Sequence, residues 1–180
     1  MRFVLDCDDC ILDFCGPVAK LAGIQKSDIR NRDLALLPGW KAWQRVLGTQ
    51  SFWTALEPLS GAVDFVRAAA GAGHRVTVAT SPWPGMGSGR FAEARVEALA
   101  RAGLFYGQDY DALVLARYKG DVAGDVFCDD YAKNCEEWAR ANPTGSVYLH
   151  DSSSNQLESR FQRINSLTEL MPLISKESAR

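Results

Sequence analysis

The stretch Phe3-Val4-Leu5-Asp6-Cys7-Asp8-Asp9-Cys10 opens this 180-residue chain with a short apolar run that ends in three carboxylates within four residues. Like charges so close together repel and raise one another's pKa unless a cation or hydrogen-bond donors compensate. The apolar run reads as a buried strand over 2–5, with the acids at its carboxyl end. Runs of the same kind recur at 75–79, 112–116, 125–128 and 146–149. Between them, 61–71, 90–102 and 131–141 carry apolar residues at helical spacing. On 90–102, Ala94, Ala98 and the pair Arg95/Glu97 are assigned to alternate faces. Strands alternating with helices predict an α/β fold with a doubly wound, Rossmann-like parallel sheet covered on both faces.

Composition narrows the function classes. An apolar fraction of 47% and a charged fraction of 23% are those of an ordinary globular chain and exclude general disorder. Twenty basic residues against 22 acidic leave a net charge of −2, which gives no global attraction to polyanions. A nucleic-acid-coating role is disfavoured, whereas a small phosphorylated ligand is compatible. No run of about 18 apolar residues could span a membrane, and Asp6, Asp8 and Asp9 interrupt any signal-peptide core. The expectation is a cytoplasmic protein without membrane partners, and a homodimer is compatible with it. Five cysteines, an odd number, read as buried reduced thiols. Cys7-x-x-Cys10 lacks a second such pair, because Cys128 and Cys135 are seven apart.

The segment 14–59 breaks the alternation. It offers helix-like pieces at 17–22, 27–36 and 40–47, with turns at Gly23 and Pro38-Gly39, and no strand. It therefore reads as a small helical cap inserted after the first strand, between the 1–13 and 60–180 parts of a core domain. Trp40 and Trp43 are assigned to its core. His74 is expected at the surface, and His150, beside Asp151, is a minor candidate for the site. The glycine-rich loop Trp83-Pro84-Gly85-Met86-Gly87-Ser88-Gly89 has no role beyond substrate contact.

In an open α/β sheet, ligands bind outside the carboxyl ends of the strands. Here successive strands run into Asp6 and Asp8, into Thr80-Ser81, toward Arg117 and Lys119, and into Asp129-Asp130. The i, i+2 spacing of Asp6 and Asp8 puts both side chains on one side if the strand continues that far. One carboxylate can then attack a phosphorus as nucleophile while the other handles a proton. Hard oxygens from Asp6, Asp8 and Asp130 suit Mg²⁺. Thr80 and Ser81 supply donors to phosphate oxygens, and Lys119 supplies positive charge to a group whose charge redistributes during transfer.

In that order, "FVLDCDD", "VTVATSP", "ARYK" and "VFCDD" resemble the four motifs of haloacid-dehalogenase-like phosphohydrolases. More narrowly, Asp13-Phe14, the run from Phe52 to Arg67, Thr80-Ser81-Pro82 and the Arg117/Lys119 pair are similar to the 5'(3')-deoxyribonucleotidases. The resemblance covers roughly 1–15 and 50–135, with Asn155 in "SSSNQ" echoing a late Asn-containing loop of that group. It implies a capped core domain and Mg²⁺-dependent removal of phosphate from deoxynucleoside monophosphates. By position, Asp6 is implied as the nucleophile and Asp8 as the general acid/base. Mg²⁺ is implied on the Asp6 carboxylate, the Asp8 main-chain carbonyl and Asp130, with Asp129 supporting. Thr80, Ser81 and Lys119 would hold the phosphate, Arg117 would approach it, and Phe14 with Trp53 would face the nucleoside.

Two positions depart from that pattern. Cys10 stands where Thr or Val is usual. Asp9 replaces a small residue, often Gly, and is expected to add negative charge beside the site. The same motifs also serve phosphatases of other small metabolites and of nucleic-acid 3'-phosphate ends. A non-catalytic nucleotide or Mg²⁺ sensor is the reading from another class, disfavoured because a binder has no need of both nucleophile and acid.

Overall fold

The computed structural model describes residues 1–30 and 33–175. Six parallel strands form one sheet: β1 (Arg2–Asp6), β2 (Arg75–Thr80), β3 (Ala112–Leu115), β4 (Val126–Asp129), β5 (Ser146–His150) and β6 (Gln162–Ile164). Their order is β3-β2-β1-β4-β5-β6. The chain winds outward from β1 to one edge and then, from β4, to the other. The reversal point lies between β1 and β4, where such sheets leave a crevice for ligands. Five strands fall where expected within a residue or two. β6 was not anticipated, because Gln162-Arg163-Ile164 is short and polar and is a strand only through its pairing with β5.

Both faces of β1 are buried, as its unbroken apolar run requires. Phe3 and Leu5 join a cluster with Phe65 and Val66 of α4 (Ala62–Gly71) and Phe91 of α5 (Ser88–Arg101). Val4 points to the other face, where Phe127 and Leu149 meet Trp138 of α6 (Ala132–Ala141). Phe127 and Trp138 stack with centroids 5.1 Å apart. The turn before β5 must end in glycine, since a Cβ at Gly145 would collide with the Trp138 ring.

The insertion between β1 and β2 is helical, as expected, with different pieces. α1 (Cys15–Ala22) stops at Gly23, whose φ of 67° suits glycine. The helix expected over 27–36 is replaced among the described residues by 3₁₀ turns at Lys26–Asp28 and Leu34–Leu36; residues 31 and 32 of that expectation lie outside the described residues. The reason is local: Gln25 and Asp28 close a capping box, and Asp33 accepts from the Ala35 N–H, so each side chain starts its own short turn. The piece expected at 40–47 divides into α2 (Trp40–Trp43) and a 3₁₀ segment, Gln44–Gly48. α3 (Gln50–Thr54), not anticipated, carries Phe52 and Trp53. At the base of the insertion, Asp13 N–H donates to Glu57 O and Leu59 N–H to Ile11 O, both at 2.8 Å. Val18, Leu47, Phe52 and Trp53 belong to the same buried cluster as Phe65 and Phe91.

His74 is half-buried rather than at the surface. Its ring lies between the Met1 amino group, 3.1 Å away, and Ile174 O, 3.3 Å away, because α7 (Met171–Ser175) closes over that end of the sheet. All five cysteines are buried, as expected. Among the described residues, no helix is long and apolar enough to cross a membrane.

Candidate active site

Asp6 ends β1, and the chain then turns: the N–H groups of Ile11 and Leu12 return to Cys7 O at 3.1 and 2.8 Å. The strand therefore stops before Asp8, and the alternation of strand side chains does not itself align the two acids. The turn brings them together instead. Asp6 and Asp8 line one cavity of about 280 Å³ with Ser81, Arg117, Lys119 and Tyr131.

Lys119 is buried beneath this cavity and donates to Asp6 Oδ1 and, at 2.7 Å, to Asp129 Oδ2. Burial alone would lower its pKa, but Asp129 and Asp6 outweigh that and raise it, so the ammonium stays charged. Asp129 also accepts from Tyr131 N–H at 2.8 Å and Asn134 Nδ2 at 3.0 Å, which directs it toward the start of α6. Asp130 turns the other way. Its carboxylate, that of Asp6 and the Cys10 thiol have ligand atoms within 4.8 Å of one another.

The charge balance here invites a cation. Four carboxylates, Asp6, Asp8, Asp129 and Asp130, meet the buried cations Lys119 and Arg95. Burial and then Asp129 push the Asp6 pKa upward, and Lys119 only partly offsets them. Burial and its contact with Cys128 hold the Cys10 thiol well above the ordinary range, so it stays protonated. The remaining donors are hard carboxylate oxygens short of positive charge, a set that fits Mg²⁺.

Thr80 is fully buried, and its hydroxyl donates to Asp8 Oδ2 at 3.4 Å. Ser81 is exposed to the cavity, with its hydroxyl on Ala116 O at 3.3 Å. Arg117 is exposed at the cavity rim. Phe14 and Trp53 stack with centroids 5.5 Å apart and planes 9° from parallel. With Asp8, Ile29, Leu34 and Trp83 they line a second, more apolar cavity of about 170 Å³. Trp53 is held by its indole N–H on Leu47 O at 2.8 Å. Trp43 is buried, in keeping with its assignment to the core, whereas Trp40 is half-buried and packs edge-on against it from the surface side. A larger groove of about 750 Å³ continues past Tyr131 and Ser154 toward Arg30, Asp151 and Leu157.

Asp9 does not line the cavity. It sits at φ 57°, a left-handed conformation that Asp tolerates better than most residues, and its carboxylate is buried. Oδ1 accepts the N–H groups of Phe14 at 3.2 Å and Cys15 at 3.0 Å, with Lys26 Nζ at 3.6 Å. Asp9 thus receives two of the orphan donors at the start of α1, and Asp13 accepts a third from Gly16 at 2.9 Å.

Sequence reasoning missed two residues. Arg95 is fully buried on α5, donates to Asp8 Oδ1, and lies 5.0 Å over the Trp53 ring. The signal was present: Arg95 is four residues from Phe91 and from Leu99 and three from Ala98, inside the apolar stripe of the helix. Arg163 of β6 donates to Asn155 Oδ1 at 2.6 Å and to Asp151 at 2.7 Å. Asn155 in turn donates to the main-chain carbonyls of Asp130 and His150. His150 is buried and has no contact with the cavity residues among its hydrogen bonds; burial lowers its pKa.

A model of the family described as 5' nucleotidase, deoxy (pyrimidine), cytosolic type C protein matches residues 36–179. No curated protein matches the chain. Among solved structures, a dehalogenase with an intermediate complex superimposes with a TM-score of 0.65 at 16% identity, covering 97% of each chain. A hydrolase of the haloacid dehalogenase family from Deinococcus radiodurans R1, with bound phosphate and sodium, gives 0.63 at 14% identity, covering 98% of this chain and 96% of that one. D,D-heptose 1,7-bisphosphate phosphatase from B. bronchiseptica, complexed with magnesium and phosphate, gives 0.56 at 13% identity, covering 98% and 99%. These likenesses establish the fold, and the match over most of the chain establishes more: this protein belongs to the deoxy 5' nucleotidase family, phosphoric monoester hydrolases on a haloacid-dehalogenase-like fold.

Proposed function

We propose that the chain is a Mg²⁺-dependent phosphatase of deoxynucleoside monophosphates that works through an aspartyl-phosphate on Asp6. The observation that carries this reading is Asp6 itself: a buried carboxylate tied to Lys119, opening onto a cavity that Asp8, Ser81 and Arg117 also line. The matched family supports the nucleotide as substrate. It spans residues 36–179 and so leaves Asp6 and Asp8 outside, which makes their geometry the support for their roles.

In this reading an Asp6 carboxylate oxygen attacks the phosphorus, and the bond from phosphorus to the ester oxygen breaks. Asp8 gives its proton to the departing alkoxide, then takes one from the water that attacks the aspartyl-phosphate, so that phosphate leaves and Asp6 is restored. Lys119 holds Asp6 in place and supplies positive charge to the transferring group, and Ser81 and Arg117 meet its oxygens from the rim. Thr80, fully buried and outside the cavity lining, steadies Asp8 through its hydroxyl instead of holding the phosphate. The Asp6 and Asp130 carboxylates with the Asp8 carbonyl would hold Mg²⁺, which when bound neutralises charge on the phosphoryl oxygens. Residues 14–59 act as the cap, with Phe14 and Trp53 forming the wall that receives the nucleoside.

The test is phosphate release from deoxy- and ribonucleoside 5'- and 3'-monophosphates, sugar phosphates and a 3'-phosphorylated oligonucleotide, with Mg²⁺ or EDTA. Turnover of deoxynucleotides that disappears with EDTA and in Asp6→Asn is the expected result. Activity on another ester alone discards the substrate, and silence throughout favours a binding protein.

A further inference from the structure

Arg95 is an expensive residue for its position. The stripe it occupies on α5, Phe91, Ala94, Ala98 and Leu99, is otherwise apolar and buried. Its Nη2 pairs with Asp8, while Nε and Nη1 are buried without a hydrogen-bond partner. A buried ion pair with unused donors adds little to stability, and an apolar side chain of similar volume commonly serves as well or better. A role in stability alone therefore does not account for the arginine.

What the arginine does hold is specific. Its guanidinium lies 5.0 Å from the centre of the Trp53 ring and 5.5 Å from that of Phe91. Phe14 stacks on Trp53, and Phe14, Trp53 and Asp8 line the same apolar cavity. Arg95 lines neither that cavity nor the one containing Asp6, so it acts from behind. Asp8 is thus gripped at both oxygens, Oδ1 by Arg95 and Oδ2 by Thr80. A planar guanidinium can pair with a carboxylate through its edge while its face rests on an indole, a fixed geometry that a compact ammonium lacks.

We infer that Arg95 is a positioning residue: it sets the orientation of Asp8 and ties it to the Trp53 wall, so that one buried side chain aligns the proton-handling carboxylate with the organic part of the ester. The inference rests on the reading of Asp8 as the group that protonates the leaving alkoxide. A displacement of about 1 Å in such a group costs on the order of a hundredfold in rate.

The experiment is a double-mutant cycle of Arg95→Met and Asp8→Asn, with kcat/KM measured for deoxythymidine 5'-monophosphate and for p-nitrophenyl phosphate, whose leaving group needs no proton. kcat/KM reports the steps through departure of the leaving group and not the later attack of water on the aspartyl-phosphate, which is common to both substrates. Circular dichroism checks folding, and Arg95→Lys replaces Arg95→Met in the cycle if the latter does not fold. The expected result for Arg95→Met is a loss of about tenfold to a hundredfold in kcat/KM on the nucleotide and a much smaller loss on the aryl ester. In the Asp8→Asn background the same substitution then has no further effect on nucleotide kcat/KM. Additive losses, equal losses on both substrates, or an unchanged nucleotide kcat/KM overturn the inference. If Asp8→Asn discriminates between the substrates and the Arg95 variant does not, the inference alone fails. If Asp8→Asn itself lowers kcat/KM equally for both, the acid role of Asp8 fails and the inference falls with it.

Discussion

The side-chain amide of Asn155 donates to the main-chain carbonyl of Asp130 at 2.7 Å, binding the loop after β5 to the carboxyl end of β4. The same amide reaches His150 O at 2.8 Å, and its oxygen accepts from Arg163 at 2.6 Å. A residue 25 positions along the chain therefore sets the backbone that aims the Asp130 carboxylate. Asn155→Ala should cost about 1–3 kcal/mol of stability, because buried carbonyls lose their donor. It should also raise the Mg²⁺ concentration for half-activation by about tenfold or more, since partners that orient a metal ligand tune its affinity. Urea unfolding and a Mg²⁺ activation curve measure the two effects.

Lys119→Met should abolish turnover and destabilise the fold by about 3–5 kcal/mol, because Asp6 and Asp129 would stay buried without their shared cation. Lys119→Arg should not restore activity, since the forked guanidinium does not fit the place of a compact ammonium between two carboxylates. Steady-state kinetics with urea titration of each variant provides the check, and a Lys119→Met protein of near-normal stability would refute the account.

The Asp8–Arg95 pair should be asymmetric in stability. Arg95 has a fully buried side chain, whereas that of Asp8 is 17% exposed. Asp8→Ala strands a guanidinium in the core and should cost about 3–5 kcal/mol. Arg95→Met leaves a carboxylate that still reaches solvent and Thr80, and should cost distinctly less. Thermal unfolding of both variants, with the double variant less unstable than the sum, measures the difference.

Asp9 offers a test of backbone against side chain. Asp9→Asn keeps an acceptor for the Phe14 and Cys15 N–H groups and tolerates φ 57°, so it should change stability by less than about 1 kcal/mol. Asp9→Ala loses the acceptor and keeps the unfavourable φ, and should cost about 2–3 kcal/mol. Asp9→Gly should fall between them, since glycine relieves φ alone. Chemical denaturation of the three variants ranks the two contributions.

His150 should make the fold acid-sensitive. Burial lowers its pKa below the ordinary 6.5, with Asp9 and Asp151 opposing and Lys26 adding to the shift. The unfolded chain therefore takes up this proton before the folded one does. The stability tied to the neutral ring is fully present above the unfolded pKa and is lost as pH falls below it toward the folded value. Unfolding free energies of wild type and His150→Gln across the acid side of neutrality should converge as pH falls; parallel curves would refute the assignment.

Local pattern determined much of this protein. Five of the six strands and the α4, α5 and α6 helices were legible because each announces itself within a few residues, by an unbroken apolar run or by apolar spacing of a helix. That Asp6, Thr80, Ser81, Lys119 and Asp130 would gather at one edge was legible because the strand ends of a parallel sheet share that edge, so sequence position alone brings them near. The tertiary structure decided the rest. Asp8 reaches the cavity through a turn and not through strand alternation, and Asp9 turns away to the start of α1. Arg95 is expected with Glu97 on the face away from Ala94 and Ala98, whereas the packing of α5 turns it inward to Asp8 and Trp53. β6, Asn155 and Arg163 depend on partners far along the chain, and short polar segments acquire structure only from such partners. Periodicity tells which face of an element is apolar, but the pairing of a buried charge is a property of two segments at once, and only their packing reveals it.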